Sequence, residues 1–439
     1  MQLKNRSKRL REVGTPLAAA TYALLGPAGL ASKVSAQELM PWDIDTSLLI
    51  YNESDGRVRD VSLNALARKE VREEKFLSLT LAIDSLTGAS PSGAMPANTV
   101  QTFTSPSGDS QYTVQPREQA LDTSFLDTRT ALSASWEMPV TRLAMLSVGA
   151  SLSDEYDYPH TGVNAHVARD FNNRNTTLSF GVALANDTIS PVGGSPVAFA
   201  PMLGLGDLTN KRGDQSKDVT DWLIGVSQVL NRRTIIQLNY SLSQSDGYLT
   251  DPYKVLSVVD PVTGNPIAGP PGSGLSRYLF ERRPDARDKQ SVYALIKRDF
   301  TGDVLEASYR YMTDDWGVDS QTVELRYRWG FGGSRYLQPH VRFYQQTAAD
   351  FYRTVLFAGT PLPEFASADH RLGELDGITV GVKYGQTTSR GSEWSARVEY
   401  YTQSGTASAG SAVGSLAAFD LYPDLNALIA QFSYKFGKR

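Results

Sequence analysis

The chain contains no cysteine in 439 residues. That absence removes disulfides, thiolate metal sites, a lipid-bearing N-terminal cysteine, covalent haem attachment and cysteine nucleophiles together. Histidine is scarce, with four copies. No run of about 18 apolar residues follows Ala36, so the sequence offers no transmembrane helix. A formal net charge of -4 points to no polyanionic partner, and nucleic acid is not expected. Aromatic residues, by contrast, are plentiful. There are 21 tyrosines and 16 phenylalanines in a chain that is only 41% hydrophobic. Such a balance suits strands with one polar face, and aromatics gathered at two membrane interfaces.

The N-terminal segment carries Lys4, Arg6, Lys8, Arg9 and Arg11, then a small and apolar run from Gly14 to Ala31, then Val34, Ser35 and Ala36. That order predicts a secretory signal peptide over residues 1–36, with the mature chain starting at Gln37. A twin-arginine export signal fits less well, because Lys8 stands where the first arginine belongs. Gly26 and Pro27 interrupt the segment, which argues against a retained amphipathic helix. An exported chain without helical anchor or lipid is periplasmic, secreted or a barrel of the outer membrane.

Residues 37–439 read as one domain of segments with period-two alternation, each of roughly ten residues. In the first, Ile44, Thr46, Leu48 and Ile50 share one face while Asp43, Asp45 and Ser47 share the other. About sixteen such segments follow in all, an even number, as an antiparallel up-and-down β-barrel requires. The connections alternate in length as well. Those near Lys69–Glu74, Pro139–Arg142, Asn172–Asn175, Asn231–Arg233, Thr301–Asp303, Phe331–Ser334 and Gln386–Ser392 are short. The intervening set includes Ser85–Asp122, Asp187–Lys217, Ser245–Asp288, Ala348–Leu375 and Gln403–Asp424, all long. Short turns on the periplasmic side and long loops outside are expected of a transmembrane meander, whereas a soluble sandwich has no reason to sort its loops. The expectation is therefore an all-β transmembrane barrel in the bacterial outer membrane, in contact with lipid. Trp136, Trp329, Trp222, Trp394, Tyr309 and Tyr311 supply its aromatic belts.

The last segment alternates to the end of the chain, with Phe432, Tyr434 and Phe436 on its apolar face. It resembles the C-terminal strand that the barrel-assembly machinery recognises in outer-membrane proteins, although Gly437, Lys438 and Arg439 follow the terminal aromatic. WDIDTSLLIYNESDGRV at 42–58, DSLTGASPSGA at 84–94, DGYLTDPYK at 246–254 and RPDAR at 283–287 carry a second resemblance. YRYMTDDWGVDSQTVEL at 309–325, QQTAADFY at 345–352 and SADHRLG at 367–373 extend it. The chain resembles, over nearly its whole mature length, a family of uncharacterised Gram-negative outer-membrane β-barrel proteins grouped as a domain of unknown function. The resemblance implies an association with flavin-transferase, thioredoxin-like and small lipoprotein components of an extracytoplasmic redox or metal system.

Alternation places Glu306, Arg310, Glu324, Arg326, Arg328, His340, Arg342, Lys383, Arg397 and Glu399 on the inner face of successive strands. Two readings fit them: a charged constriction in a water-filled pore, or an interior ion-pair network that ties strands together. Two acidic clusters, Asp154, Glu155 and Asp157 beside His160, and Asp314 and Asp315 before Trp316, match no defined calcium-loop spacing and read as solvated loop tips. His370 beside Asp369 is no stronger a metal signal. His160, His166 and His340 lie on different segments and no serine motif marks a partner, so no enzyme activity, metal or cofactor is expected. The proline-rich loop Val258–Gly274 reads as a cover over the mouth. The function expected is a conduit for small polar solutes, with a plugged barrel serving as the platform of the redox or metal assembly as the alternative.

Overall fold

The computed structural model describes residues 42–105 and 107–437. The signal peptide expected over 1–36, and Lys438 and Arg439 of the tail, lie outside them. Sixteen strands form one closed antiparallel sheet in chain order. They are β1 (Asp43–Glu53), β2 (Arg59–Arg72), β3 (Lys75–Pro91), β4 (Leu121–Thr141), β5 (Ala144–Asp154), β6 (His160–Phe171), β7 (Thr176–Ile189) and β8 (Gln215–Asn231). The circuit continues through β9 (Thr234–Gly247), β10 (Ala286–Asp299), β11 (Val304–Asp314), β12 (Asp319–Phe331), β13 (Arg335–Gln346), β14 (Glu374–Thr387), β15 (Glu393–Thr406) and β16 (Leu425–Lys435). Closure comes from β1 against β16, in a register that sets Leu48 beside Phe432 and Asp45 beside Lys435. Lys435 Nζ stands 3.2 Å from Asp45 Oδ2 across that seam.

The expected strand order and alternation both hold, and closure of the ladder leaves no edge strand. Leu63, Leu132, Val163, Ile224, Val323, Phe343, Tyr400 and Phe432 are exposed and point outward, Ile224 by 57% and Phe432 by 50%. A continuous apolar wall of this kind is costly in water and stable against hydrocarbon. The chain is a transmembrane barrel. Its short turns are built by local side chains: Asp299 Oδ1 accepts from Thr301 N at 2.7 Å and Gly302 N at 3.1 Å, and Asn231 Oδ1 from Arg233 N at 2.9 Å.

Several strands run further than the apolar alternation suggests. β3 continues to Pro91, β4 begins at Leu121, β7 reaches Ile189 and β8 starts at Gln215. Backbone pairing persists there after lipid no longer demands an apolar face, so the pattern that marks the strands fades before the ladder does.

The long connections fold on one another. Val255–Val259 pairs antiparallel with Tyr278–Phe280 and parallel with Val355–Phe357, so the β9–β10 and β13–β14 connections share a three-stranded sheet. The loop expected as a cover thus lies within an ordered cap. Phe103, Met202, Val255, Tyr278 and Phe280 form one buried cluster from three connections. Met95, Val259, Val355, Leu416 and Leu421 form another from four. A sixteen-stranded barrel has a mouth on the order of 30 Å across, from strand spacing and tilt. Loops that leave it after β3, β9, β13 and β15 and meet in one core must therefore reach across it.

Candidate functional site in the lumen and its cap

The ten inward residues marked by alternation fall into two groups. The first is a chain of contacts. Glu306 on β11 lies 3.1 Å from Arg326 Nη1 and 3.5 Å from Lys297 Nζ. Arg326 also pairs with Glu324. Glu324 Oε1 is 2.7 Å from His340 Nε2, whose Nδ1 lies 2.8 Å from Glu399 Oε1, and Arg397 Nη1 stands 3.5 Å from that same oxygen. Both ring nitrogens of His340 thus face carboxylates, and only an imidazolium donates on both sides. Glu399 on β15 reaches His340 on β13 over the intervening β14, where Gly381 faces both. A Cβ at Gly381 would fall 2.3 Å from Glu399 Cγ, so only glycine permits the crossing.

The second group is different. Arg328 lies 3.7 Å from the centroid of the Tyr336 ring, Arg310 5.5 Å from that of Tyr293 and Arg342 6.0 Å from that of Tyr344. Lys383 Nζ approaches Tyr336 at 5.9 Å. Among the described residues no ion pair includes these four cations. Arg328 and Arg342 are exposed although they face the barrel interior. Aromatic faces hold the guanidinium planes in place without cancelling their charge.

The acidic loop residues are placed too. Asp314 binds Arg287 at 2.5 Å and accepts from Trp316 N at 3.0 Å and Val318 N at 2.9 Å, shaping its own turn. Asp157 accepts from the Tyr253 hydroxyl, and Glu155 lies 3.9 Å from Arg129. His160 turns away from that cluster toward Asp187. Among the described residues no group of three metal-ligating side chains converges.

A charged cluster that the spacing of residues does not reveal lies in the cap. Glu281, fully buried, stands 2.6 Å from Arg283 Nε and accepts from Asp251 N at 2.7 Å and from the Ser367 hydroxyl. Arg283 bridges onward to Asp369 at 2.8 Å, and Arg371 joins Asp369 at 2.6 Å to Asp251 at 2.7 Å. Burial, reinforced by Asp251 and Asp369, pushes the Glu281 carboxyl up against the pull of Arg283. Burial would push Asp369 up as well, but Arg371, Arg283 and Lys254 hold it well below the usual carboxylate range. Lys254 Nζ donates to Pro91 O at 2.6 Å, tying the same cluster to the top of β3. His370 packs on Tyr422 with ring centroids 4.9 Å apart, and burial pushes its imidazole down to about 4. A cavity of about 140 Å³ lies here, lined by Arg57, Lys254, Asp369, His370 and Arg371. DGYLTDPYK, RPDAR and SADHRLG, separate in sequence, contribute Asp251 and Lys254, Arg283, and Asp369 and Arg371. Their charged letters were the available signal; only the fold puts them together.

The family model described as a protein of unknown function, DUF3570, matches residues 15–436. The chain belongs to that family. No curated protein is significantly similar to it in sequence. Among solved structures it is similar to a bacterial polysaccharide outer membrane secretin, with 8% identity, 92% of this chain and 100% of the other covered, and a TM-score of 0.43. It is also similar to Pseudomonas aeruginosa OccK2 (OpdF), with 11% identity, 91% and 99% coverage and a TM-score of 0.38. A third similarity is to the siderophore receptor PirA from Acinetobacter baumannii, with 9% identity, 84% and 53% coverage and a TM-score of 0.40. For this DUF3570 chain the closed sheet and its apolar wall carry the location: it is a barrel of the bacterial outer membrane.

Proposed function

We propose that the barrel is a conduit for small polar solutes, with the loop cap as the cover of its extracellular mouth. The observation that supports this most is the inward row Arg310, Arg328 and Arg342, held on tyrosine rings with no carboxylate within ion-pair distance among the described residues. An unneutralised guanidinium is expensive in a dry interior, so this row favours a lumen that holds water or an anion. The ion-pair chain from Glu306 to Arg397 beside it would brace the wall of that conduit. Reconstitution in planar bilayers tests the reading: discrete conductance is expected, together with flux of small charged solutes from loaded vesicles. A folded, inserted barrel that passes neither ions nor solutes would remove it.

The apolar clusters of the cap favour a second reading, the plugged platform. In that case the lipoprotein, flavin-transferase or thioredoxin-like components would dock on the barrel, which would carry no cofactor itself. Opening the cap by substitution at Arg283 and Asp369 separates the two, since a capped conduit gains conductance and a plugged platform does not.

A further inference from the structure

We propose that Ser151, His160 and Asp187 form a nucleophilic acyl-transfer site on the inner wall, acting on small water-soluble esters. They stand on three neighbouring strands, β5, β6 and β7, and all face inward. His160 lies directly opposite Asp187 across the β6–β7 pair, and Ser151 lies opposite Gly162, one step along β6 from His160 on the same face. The Nδ1 of His160 is 2.6 Å from Asp187 Oδ1, and its Nε2 is 3.2 Å from Ser151 Oγ. A carboxylate only accepts, so Nδ1 carries a proton, and in the neutral ring Nε2 offers its lone pair to the serine hydroxyl. That is the tautomer a general base needs, at the separations a nucleophile–base–orienter arrangement uses.

Asp187 is fully buried and fixed from several sides, by the Tyr158 hydroxyl at 2.5 Å and Lys217 Nζ at 2.8 Å as well as by His160. It is a positioning residue. The serine end is open by contrast: Ser151 is half-buried, and the His160 side chain keeps 13% of its surface. A Cβ at Gly162 would fall 2.7 Å from Ser151 Oγ and 3.2 Å from His160 Nε2, so the absent side chain leaves a notch over the reacting pair. Gly149, two residues from Ser151 on the same face, stands opposite Asn164 and leaves room for its amide, with Oδ1 2.8 Å and Nδ2 3.2 Å from where a Cβ would sit.

In the reaction Ser151 Oγ bonds to the ester carbonyl carbon while its proton passes to His160 Nε2. Collapse breaks the bond to the alcohol, which leaves with that proton. Water then attacks the acyl-serine, giving a proton to Nε2 that returns to Oγ, so ester and water become acid and alcohol. Substrate comes from the aqueous side, because the neighbours of Ser151 along β5, Ala150 and Leu152, point to lipid and Ser151 does not.

The test uses the full chain in detergent, with folding checked by heat-modifiable migration, and a fluorophosphonate probe located by peptide mass. Labelling is expected at Ser151, absent in Ser151→Ala and slowed on the order of 10²-fold in His160→Gln. With p-nitrophenyl acetate, Asp187→Asn should lower kcat by a similar factor and leave KM unchanged. Folded wild-type protein that carries no adduct at Ser151, or His160→Gln protein labelled as fast as wild type, would overturn the proposal and leave the three residues as an interior hydrogen-bond relay.

Discussion

Arg283 and Asp369, 86 positions apart, meet at 2.8 Å with both side chains almost wholly buried. One comes from the β9–β10 connection and the other from the β13–β14 connection, so the pair joins loops rooted at different parts of the rim. Neutralising Asp369 takes one charged partner from each of Arg283 and Arg371, which keep Glu281 and Asp251. Asp369→Asn should therefore destabilise the cap by about 2 kcal/mol. Hydrogen exchange should rise in 250–285 and 347–373 while the barrel strands stay protected. Unchanged protection in those loops would show that the apolar clusters hold the cap without the pair.

The cap should also loosen in acid. His370 keeps a ring nitrogen, Nε2, buried without a partner, and its folded pKa of about 4 lies below the ordinary 6.5. Between those values an unfolded His370 binds a proton that the folded one refuses. Stability is thus complete above 6.5 and falls as pH drops toward 4. Burial sets that direction; Asp369 and Asp420 favour the proton, while Lys254 and Arg57 oppose it. Asp369 itself adds a second loss only below its ordinary 3.8. Limited proteolysis of the loops across pH should show the first transition in wild type, and His370→Gln should abolish it.

Charge selectivity should reside in the cations stacked on tyrosine. Arg328→Gln with Arg342→Gln should move the reversal potential in a salt gradient toward cations without unfolding the barrel. Arg326→Gln should act differently, because it breaks contacts to Glu306 and Glu324 and is expected to lower thermal stability first. A conducting protein whose selectivity ignores the Arg328 and Arg342 changes would show that these side chains lie off the pathway.

Assembly should depend on the closing strand. Phe436 is exposed on the outer wall, packs edge-on against Tyr434 at 4.7 Å and donates its N–H to Ile44 O at 2.9 Å across the seam. Phe436→Glu should reduce heat-modifiable protein in the outer membrane. Wild-type levels of inserted barrel would show that targeting does not read this residue.

The N-terminal order of basic, apolar and small residues predicts that the mature protein starts at Gln37. Intact mass of outer-membrane material should therefore lack residues 1–36. Mass corresponding to the full chain would remove that cleavage.

Period-two alternation determined the strands, their number and the faces on which Arg326 or Leu325 would lie, because lipid on one side imposes an apolar side chain at every second position. Loop lengths determined the topology, since a spanning meander must sort its turns by side. Neither signal reaches the cap. Above the membrane no solvent enforces a period, so Asp251, Glu281, Arg283 and Asp369 look like scattered loop charges until the connections fold together. The same holds for Ser151, His160 and Asp187: alternation turns Ser151 inward, while His160 and Asp187 lie beyond the apolar pattern and read as loop residues. Which inward residues become neighbours is decided by strand register and sheet closure, and these depend on every pairing around the barrel.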